Sequence, residues 1–88
     1  MKVYFTKVFT KDLSRFRDAK ILARVKDLIQ TIETLNNLGD IDNLKKLQGH
    51  EIYYRIRVGN YRLGMKIEQE KVTFMRFLHR REIYRYFP

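Results

Sequence analysis

The sequence contains no cysteine, so no disulfide braces the fold and no thiolate metal site can form. That absence suits a reducing compartment, and a cytoplasmic location is expected. The single proline is the last residue, Pro88, and no low-complexity run, internal repeat or linker-like stretch divides the chain. One domain spanning residues 1–88 with one small core is expected. No apolar run approaches the about 20 residues that cross a bilayer. The start, Met1 to Lys7, is too short and too polar to read as a secretory signal. The two histidines, His50 and His79, have no partner at metal-ligand spacing, so neither metal nor cofactor is expected. Acidic residues are also scarce: 10 Asp and Glu stand against 19 Lys and Arg, a net charge of +9.

That charge is uneven. Residues 1–43 carry eight basic and six acidic side chains, whereas residues 44–88 carry eleven and four. A basic half rich in tyrosine and arginine points to nucleic acid or an acidic protein as partner. A membrane surface is disfavoured, because the basic residues fall on strands and not on an amphipathic helix. Hydrophobic content of 44% and aromatic content of 14% are enough to build a core and argue against disorder.

The basic half is built around Glu51 to Leu78. Ile52, Tyr54, Ile56 and Val58 alternate with Tyr53, Arg55 and Arg57, the period of a half-buried strand. Gly59-Asn60 makes a two-residue hairpin turn, after which Tyr61, Leu63, Met65 and Ile67 alternate with Arg62, Gly64 and Lys66. This register sets Val58 against Tyr61, Arg57 against Arg62, Ile56 against Leu63 and Tyr54 against Met65, with every apolar member on one face. The other face carries Arg55, Arg57, Arg62 and Lys66. Directly opposed arginines cost stability, so this face reads as built for an anionic partner. A third strand is expected from Lys71 to about Leu78. With Gln69-Glu70 as its turn, Val72, Phe74 and Leu78 fall on the core side, and Thr73, Met75 and Phe77 on the basic side. Arg76 then points toward the core and needs an acceptor.

Upstream, Lys2 to Lys7 reads as a short strand. Thr10 is the expected N-cap of a first helix with Asp12 in its first turn, and Phe9, Leu13 and Phe16 at helical spacing. Asp18 starts a second helix striped by Ile21, Val25, Leu28, Ile32 and Leu35, stopping at Asn36 to Gly39. Asp40 to His50 is expected to be a connector that turns Leu44 and Leu47 inward, with Lys45 and Lys46 extending the basic surface. The expected fold is α+β: an N-terminal strand, an αα-hairpin, then an antiparallel three-strand meander with the helices on one sheet face.

The chain ends His79-Arg80-Arg81-Glu82-Ile83-Tyr84-Arg85-Tyr86-Phe87-Pro88. Ile83, Tyr84 and Phe87 can dock this tail, leaving its cations free for chemistry. Four segments, Leu44-Lys45-Lys46-Leu47-Gln48-Gly49, Tyr54-Arg55-Ile56-Arg57, Tyr61-Arg62-Leu63 and His79-Arg80-Arg81-Glu82-Ile83-Tyr84, resemble the RelE/ParE superfamily of toxins from toxin–antitoxin pairs. The resemblance covers nearly the whole chain. It implies a small, acidic antitoxin as partner. For RelE-like members it also implies a ribosome-dependent mRNA endonuclease that inhibits translation; ParE-like members instead poison DNA gyrase. Carried over to this sequence, it makes Arg55, Arg57 and Arg62 site residues. An arginine after the last strand follows, best matched by Arg80 with Arg81 as alternative, then a tyrosine, Tyr84 or Tyr86. RelE enzymes resemble a Lys-x-Lys pair where this chain has Arg55 and Arg57. Guanidinium is always protonated, so these two clamp phosphate but accept no proton.

Metal-free RNA cleavage uses the ribose 2′-OH against the adjacent phosphate. Arg57, Arg62 and Arg80 suit neutralisation of that phosphate, and Tyr84 suits stacking or orientation of the nucleophile. His79, whose imidazole can both give and take a proton, is the candidate acid or base. Lys45, Lys46, Lys66, Arg81 and Tyr86 are candidate RNA contacts, and His50 reads as structural. A gyrase inhibitor without nuclease activity, or a non-toxic basic nucleic-acid-binding module, remains the alternative.

Overall fold

In the computed structural model, which describes residues 1–88, nine short elements follow one another: β1 (Lys2–Phe5), α1 (Lys7–Ser14), α2 (Ala19–Thr34), a 3₁₀ turn (Leu38–Asp40), β2 (Leu44–Lys46), β3 (Tyr53–Val58), β4 (Tyr61–Glu68), β5 (Lys71–His79) and α3 (Ile83–Tyr86). The five strands form one sheet in the order β1-β5-β4-β3-β2, so β4 lies between its two sequence neighbours. β1 joins β5 in parallel; the other pairings are antiparallel. The expected hairpin register holds throughout β3 and β4, including Arg57 opposite Arg62. Gly59, at φ +60°, takes the left-handed backbone the turn requires.

Helices α1 and α2 cover one sheet face. Phe9, Val25 and Ile32 meet Ile56, Val58, Leu63, Met65, Ile67, Val72, Phe74 and Phe77 there in the main core. α1 begins earlier than the sequence suggests: its N-cap is Thr6, not Thr10. The Thr6 hydroxyl accepts from the Phe9 N–H at 3.0 Å and donates to the Met75 carbonyl at 3.0 Å, so one side chain both caps the helix and ties it to β5. Asp12 therefore sits in the second half of α1, not its first turn. Asp18 caps α2 as expected, accepting from the Lys20 and Ile21 N–H groups.

Two further expectations are corrected. The Asp40–His50 connector contains a fifth strand: β2 pairs with β3, Leu44 opposite Ile56 and Lys45 opposite Arg55. Alternation along it sends Leu44 to the main core and Leu47 to a second cluster on the opposite sheet face, with Ile83 and Phe87. The second correction lies in β5. Its turn is at Gln69-Glu70, both with positive φ. A bulge follows: Phe74 pairs with Met65 but Arg76 with Gly64, leaving Met75 as the extra residue. The bulge reverses the expected phase beyond it. Phe77 turns to the helix side, buried between Phe16 and Tyr61, and Leu78 joins the second cluster. Arg76 escapes the core and finds its acceptor in Asp12, donating from Nε at 2.9 Å and from a terminal nitrogen at 3.2 Å.

The short helix α3 lies on the sheet face away from α1 and α2. Ile83 and Phe87 bury against Leu47, Tyr53, Met75 and Leu78. Gly64 makes this docking possible: a Cβ there would meet the Phe87 ring at 2.9 Å.

Candidate functional site

The tail covers only part of that second face. Beside it the basic side chains of β2, β3 and β4 remain open and surround a cleft of about 530 Å³ lined by Arg24, Asn43, Lys45, Arg55, Arg57, Gly59 and Arg62. No apolar side chain lines it. Strand alternation puts Arg55 and Arg57 on this face, and Arg62 stands directly across from Arg57. Like charges opposite one another oppose folding. Arg62 adds two bonds that steady it, donating to the Tyr61 carbonyl at 2.9 Å and the Gly59 carbonyl at 3.1 Å. These bonds occupy one terminal nitrogen and leave the rest of the guanidinium free.

Burial and the surrounding cations hold the Arg62 pKa below the ordinary guanidinium range. Partial burial acts most strongly, then the charges of Arg55 and Arg57, with a smaller push from Arg80 and an opposing pull from Tyr84. The sign is that of a base whose charged form is disfavoured by folding. At neutral pH the full cost is present, and it is relieved only as pH rises through the lowered folded value. Charge stored in this way is relieved by an anion. The same interactions place Arg80 and Tyr84 within charge reach of Arg62. Arg80 is set there by its backbone, whose N–H donates to the Asn60 carbonyl of the hairpin turn at 2.8 Å. Tyr84, 60% exposed, also borders an adjoining hollow of about 480 Å³, which it shares with Arg55, Lys46, His50 and Phe87.

Of the six residues assigned catalytic roles from sequence, Arg55, Arg57 and Arg62 line the cleft, while Arg80 and Tyr84 stand at its border within charge reach of Arg62. His79 does not join them. It pairs with Tyr61 across the sheet and stands edge-on to that ring at 5.3 Å, on the helix side with Phe16 and Phe77. Its Nδ1 accepts the Arg81 N–H at 3.1 Å, so it shapes the exit of the chain from β5. The cause is again the phase change at Met75. Among the candidate RNA contacts, Lys45 lines the arginine cleft and Lys46 borders the adjoining hollow, paired with Glu51 at 3.2 Å. Lys66 shares the open face further along β4, 3.6 Å from Glu68. Arg81 is exposed beside the turn, and Tyr86 lies on the far side of α3 under the Arg76 guanidinium. His50 stands edge-on to Tyr53, a packing role as expected.

Two lining residues were missed. Arg24 lies off the apolar stripe of α2 and reads as a solvated helix charge; in the fold it reaches within 3.9 Å of a Cβ built on Gly59. Asn43, at φ 62°, turns the chain into β2. Only its tolerance of left-handed backbone could have marked it.

Comparison with known proteins agrees with this geometry. The sequence profile described as the ParE toxin of type II toxin–antitoxin systems, parDE, matches residues 3–84. The chain is 45% identical to Toxin RelE3 of Methanocaldococcus jannaschii over 89 aligned positions, covering 100% of both proteins. Among solved structures it superposes with a TM-score of 0.82 and 41% identity on a chain of the RelB–RelE antitoxin–toxin complex from Methanococcus jannaschii, covering 97% of this chain and 99% of that one. The archaeal RelE–RelB complex of Pyrococcus horikoshii shares the fold at 19% identity and a TM-score of 0.72, covering 90% of this chain and 93% of that one. The match spans nearly the whole chain, and the chain belongs to the ParE toxin family of type II toxin–antitoxin systems, within the RelE/ParE superfamily of toxins.

Proposed function

We propose that this toxin is a RelE-type endoribonuclease that cuts mRNA on the ribosome and so stops translation in the cytoplasm. One observation carries the reading: Arg55, Arg57 and Arg62 line a common open cleft, with Arg80 within charge reach, and Arg62 is held charged there against the opposition of its neighbours. An RNA phosphate entering this cleft relieves that opposition. In the reaction the 2′-oxygen bonds to phosphorus, the bond to the 5′-oxygen breaks, and a 2′,3′-cyclic phosphate and a 5′-hydroxyl result. The guanidinium groups neutralise charge building on the equatorial oxygens, where a preorganised donor contributes about 10²–10³ in rate. Tyr84 is the hydroxyl within charge reach of Arg62. It keeps the orienting role that the sequence gave it and takes over the acid or base role that the sequence gave His79.

The relative from M. jannaschii was solved as a complex of toxin with the RelB antitoxin. By analogy this +9 chain pairs with a small acidic antitoxin, which electrostatic steering brings on quickly. A second reading, a gyrase inhibitor without nuclease activity, is favoured by the ParE description of the matching profile. The two separate in one experiment. Primer extension on mRNA from ribosomes programmed with purified toxin gives new 5′ ends for wild type, fewer for Arg62→Lys and almost none for Arg62→Ala. Intact mRNA with the wild-type toxin, together with DNA breaks in treated cells, replaces the nuclease reading with the gyrase one.

A further inference from the structure

The tail raises a question of control. α3 is one helical turn, far below the length that holds itself together in water. Burial of Ile83 and Phe87, one turn apart, sets the face that α3 turns to the sheet, and the side chains on its flanks need holds of their own. Tyr84 and Tyr86, two positions apart, project about 200° from each other, on opposite sides of the turn. Tyr84 borders the hollow beside the arginine cleft, which it shares with Arg55. The Tyr86 ring lies under the Arg76 guanidinium, 5.8 Å from its centroid, with Arg85 at 6.0 Å. Arg76 itself is gripped from behind by Asp12, which is 9% exposed and also accepts the Phe77 N–H at 2.9 Å. A bidentate pair whose carboxylate is also anchored on a β5 amide leaves the guanidinium plane little freedom. A fixed cation against an aromatic face sets the position of the ring.

We infer that Arg76 is a positioning residue: held by Asp12 of α1, it seats the Tyr86 ring and so steadies the turn of α3 that presents Tyr84 beside Arg55, at the border of the arginine cleft. The opposed sides of one short turn make Tyr84 and Tyr86 move as a lever about the buried Ile83. The consequence for cleavage rests on the nuclease reading above; the consequence for Tyr84 geometry does not.

Two measurements test it. Tyr86 is half exposed, so Tyr86→Phe and Tyr86→Ala leave the fold intact, which a melting curve verifies. In ribosome-programmed cleavage, Tyr86→Ala lowers kcat by about tenfold with little change in KM, as a small misplacement of a reacting group does. Tyr86→Phe, which keeps the ring, retains activity. In a Tyr84→Ala background the further change Tyr86→Ala costs nothing, because the two residues act as one. Additive losses overturn the proposal. The second readout needs no substrate: fluorotyrosine placed at position 84 gives a ¹⁹F resonance that shifts in Tyr86→Ala and Arg76→Gln but not in Tyr86→Phe. A resonance indifferent to all three overturns the proposal. A responsive resonance in a toxin that cleaves no mRNA keeps the lever and removes the nuclease.

Discussion

Opposed arginines make a test in which stability and activity move apart. In Arg57→Ala the exposed member of the pair loses its charge and gives up no hydrogen bond. Relief of a directly opposed like-charge pair is worth about 0.2–0.5 kcal/mol, the lower part of the usual cross-strand range, because water screens Arg57. For a domain of this size that raises Tm by about 1–4 °C. Arg62→Ala gains the same relief but forfeits the bonds to Gly59 and Tyr61. Each is worth about 0.5–1.5 kcal/mol, partly recovered when water solvates the freed carbonyls. The net expectation is a stability between unchanged and about 1 kcal/mol lower. The expected order of melting temperature is therefore Arg57→Ala, wild type, Arg62→Ala. Cleavage activity falls in both variants, by about 10²–10³ for Arg62. Calorimetry at low salt and at about 1 M salt sharpens the assay. With a Debye length near 3 Å the Arg57→Ala gain should shrink toward nothing, while the Arg62→Ala loss persists. A less stable Arg57→Ala protein, or a gain indifferent to salt, would refute the account of a face strained by its own charge.

Other consequences are as direct. Gly64→Ala drives a methyl into the Phe87 ring, and the forced overpacking should cost about 1–3 kcal/mol in urea unfolding; Phe87→Leu, costly alone, should cost less in that background. Thr6→Val removes the α1 cap and the bond to the Met75 carbonyl together, so a loss of about 1–2 kcal/mol is expected by thermal melting. Binding to single-stranded RNA should weaken with salt at a slope near about −3 in log–log form if four arginines meet phosphates, and Arg62→Ala should flatten it by about 0.7. Co-expression of a small acidic antitoxin from the same operon should relieve growth arrest; a neighbour that neither binds nor relieves it counts against the pairing.

The hairpin was legible in the sequence because two independent signals agree there. The Gly59-Asn60 turn fixes loop length, and the alternation on both sides accepts only one register. Arg55, Arg57 and Arg62 followed from that register. β2 was not legible, since three residues show no measurable alternation and its pairing comes from the open edge of β3. The start of α1 was misjudged because Thr6 and Thr10 are equally good caps in isolation. Only Met75, distant in sequence, supplies the acceptor that selects Thr6. The face of His79 depends on parity counted through β5, and the extra residue at Met75 changes the count. Arg24 reaches the cleft through tertiary placement of α2, to which helical periodicity is blind.

That extra residue has a consequence of another kind. Excise Met75, and Arg76, Phe77 and Leu78 already stand opposite Gly64, Leu63 and Arg62, where an unbroken ladder would put them. The main core would keep its members and the second would lose only the Met75 side chain. What would go is the local bend that a bulge gives its strand, and with it the heading along which His79, Arg80 and Arg81 leave the sheet. The direction of the tail is thus written in chain length and not in side-chain chemistry. Other apolar residues could occupy position 75 without altering that heading, whereas shortening the strand by one would re-aim every group beyond it. Variation in this toxin should accordingly accept other apolar side chains at this position, which packs against Ile83 and Phe87, and be intolerant of deletion.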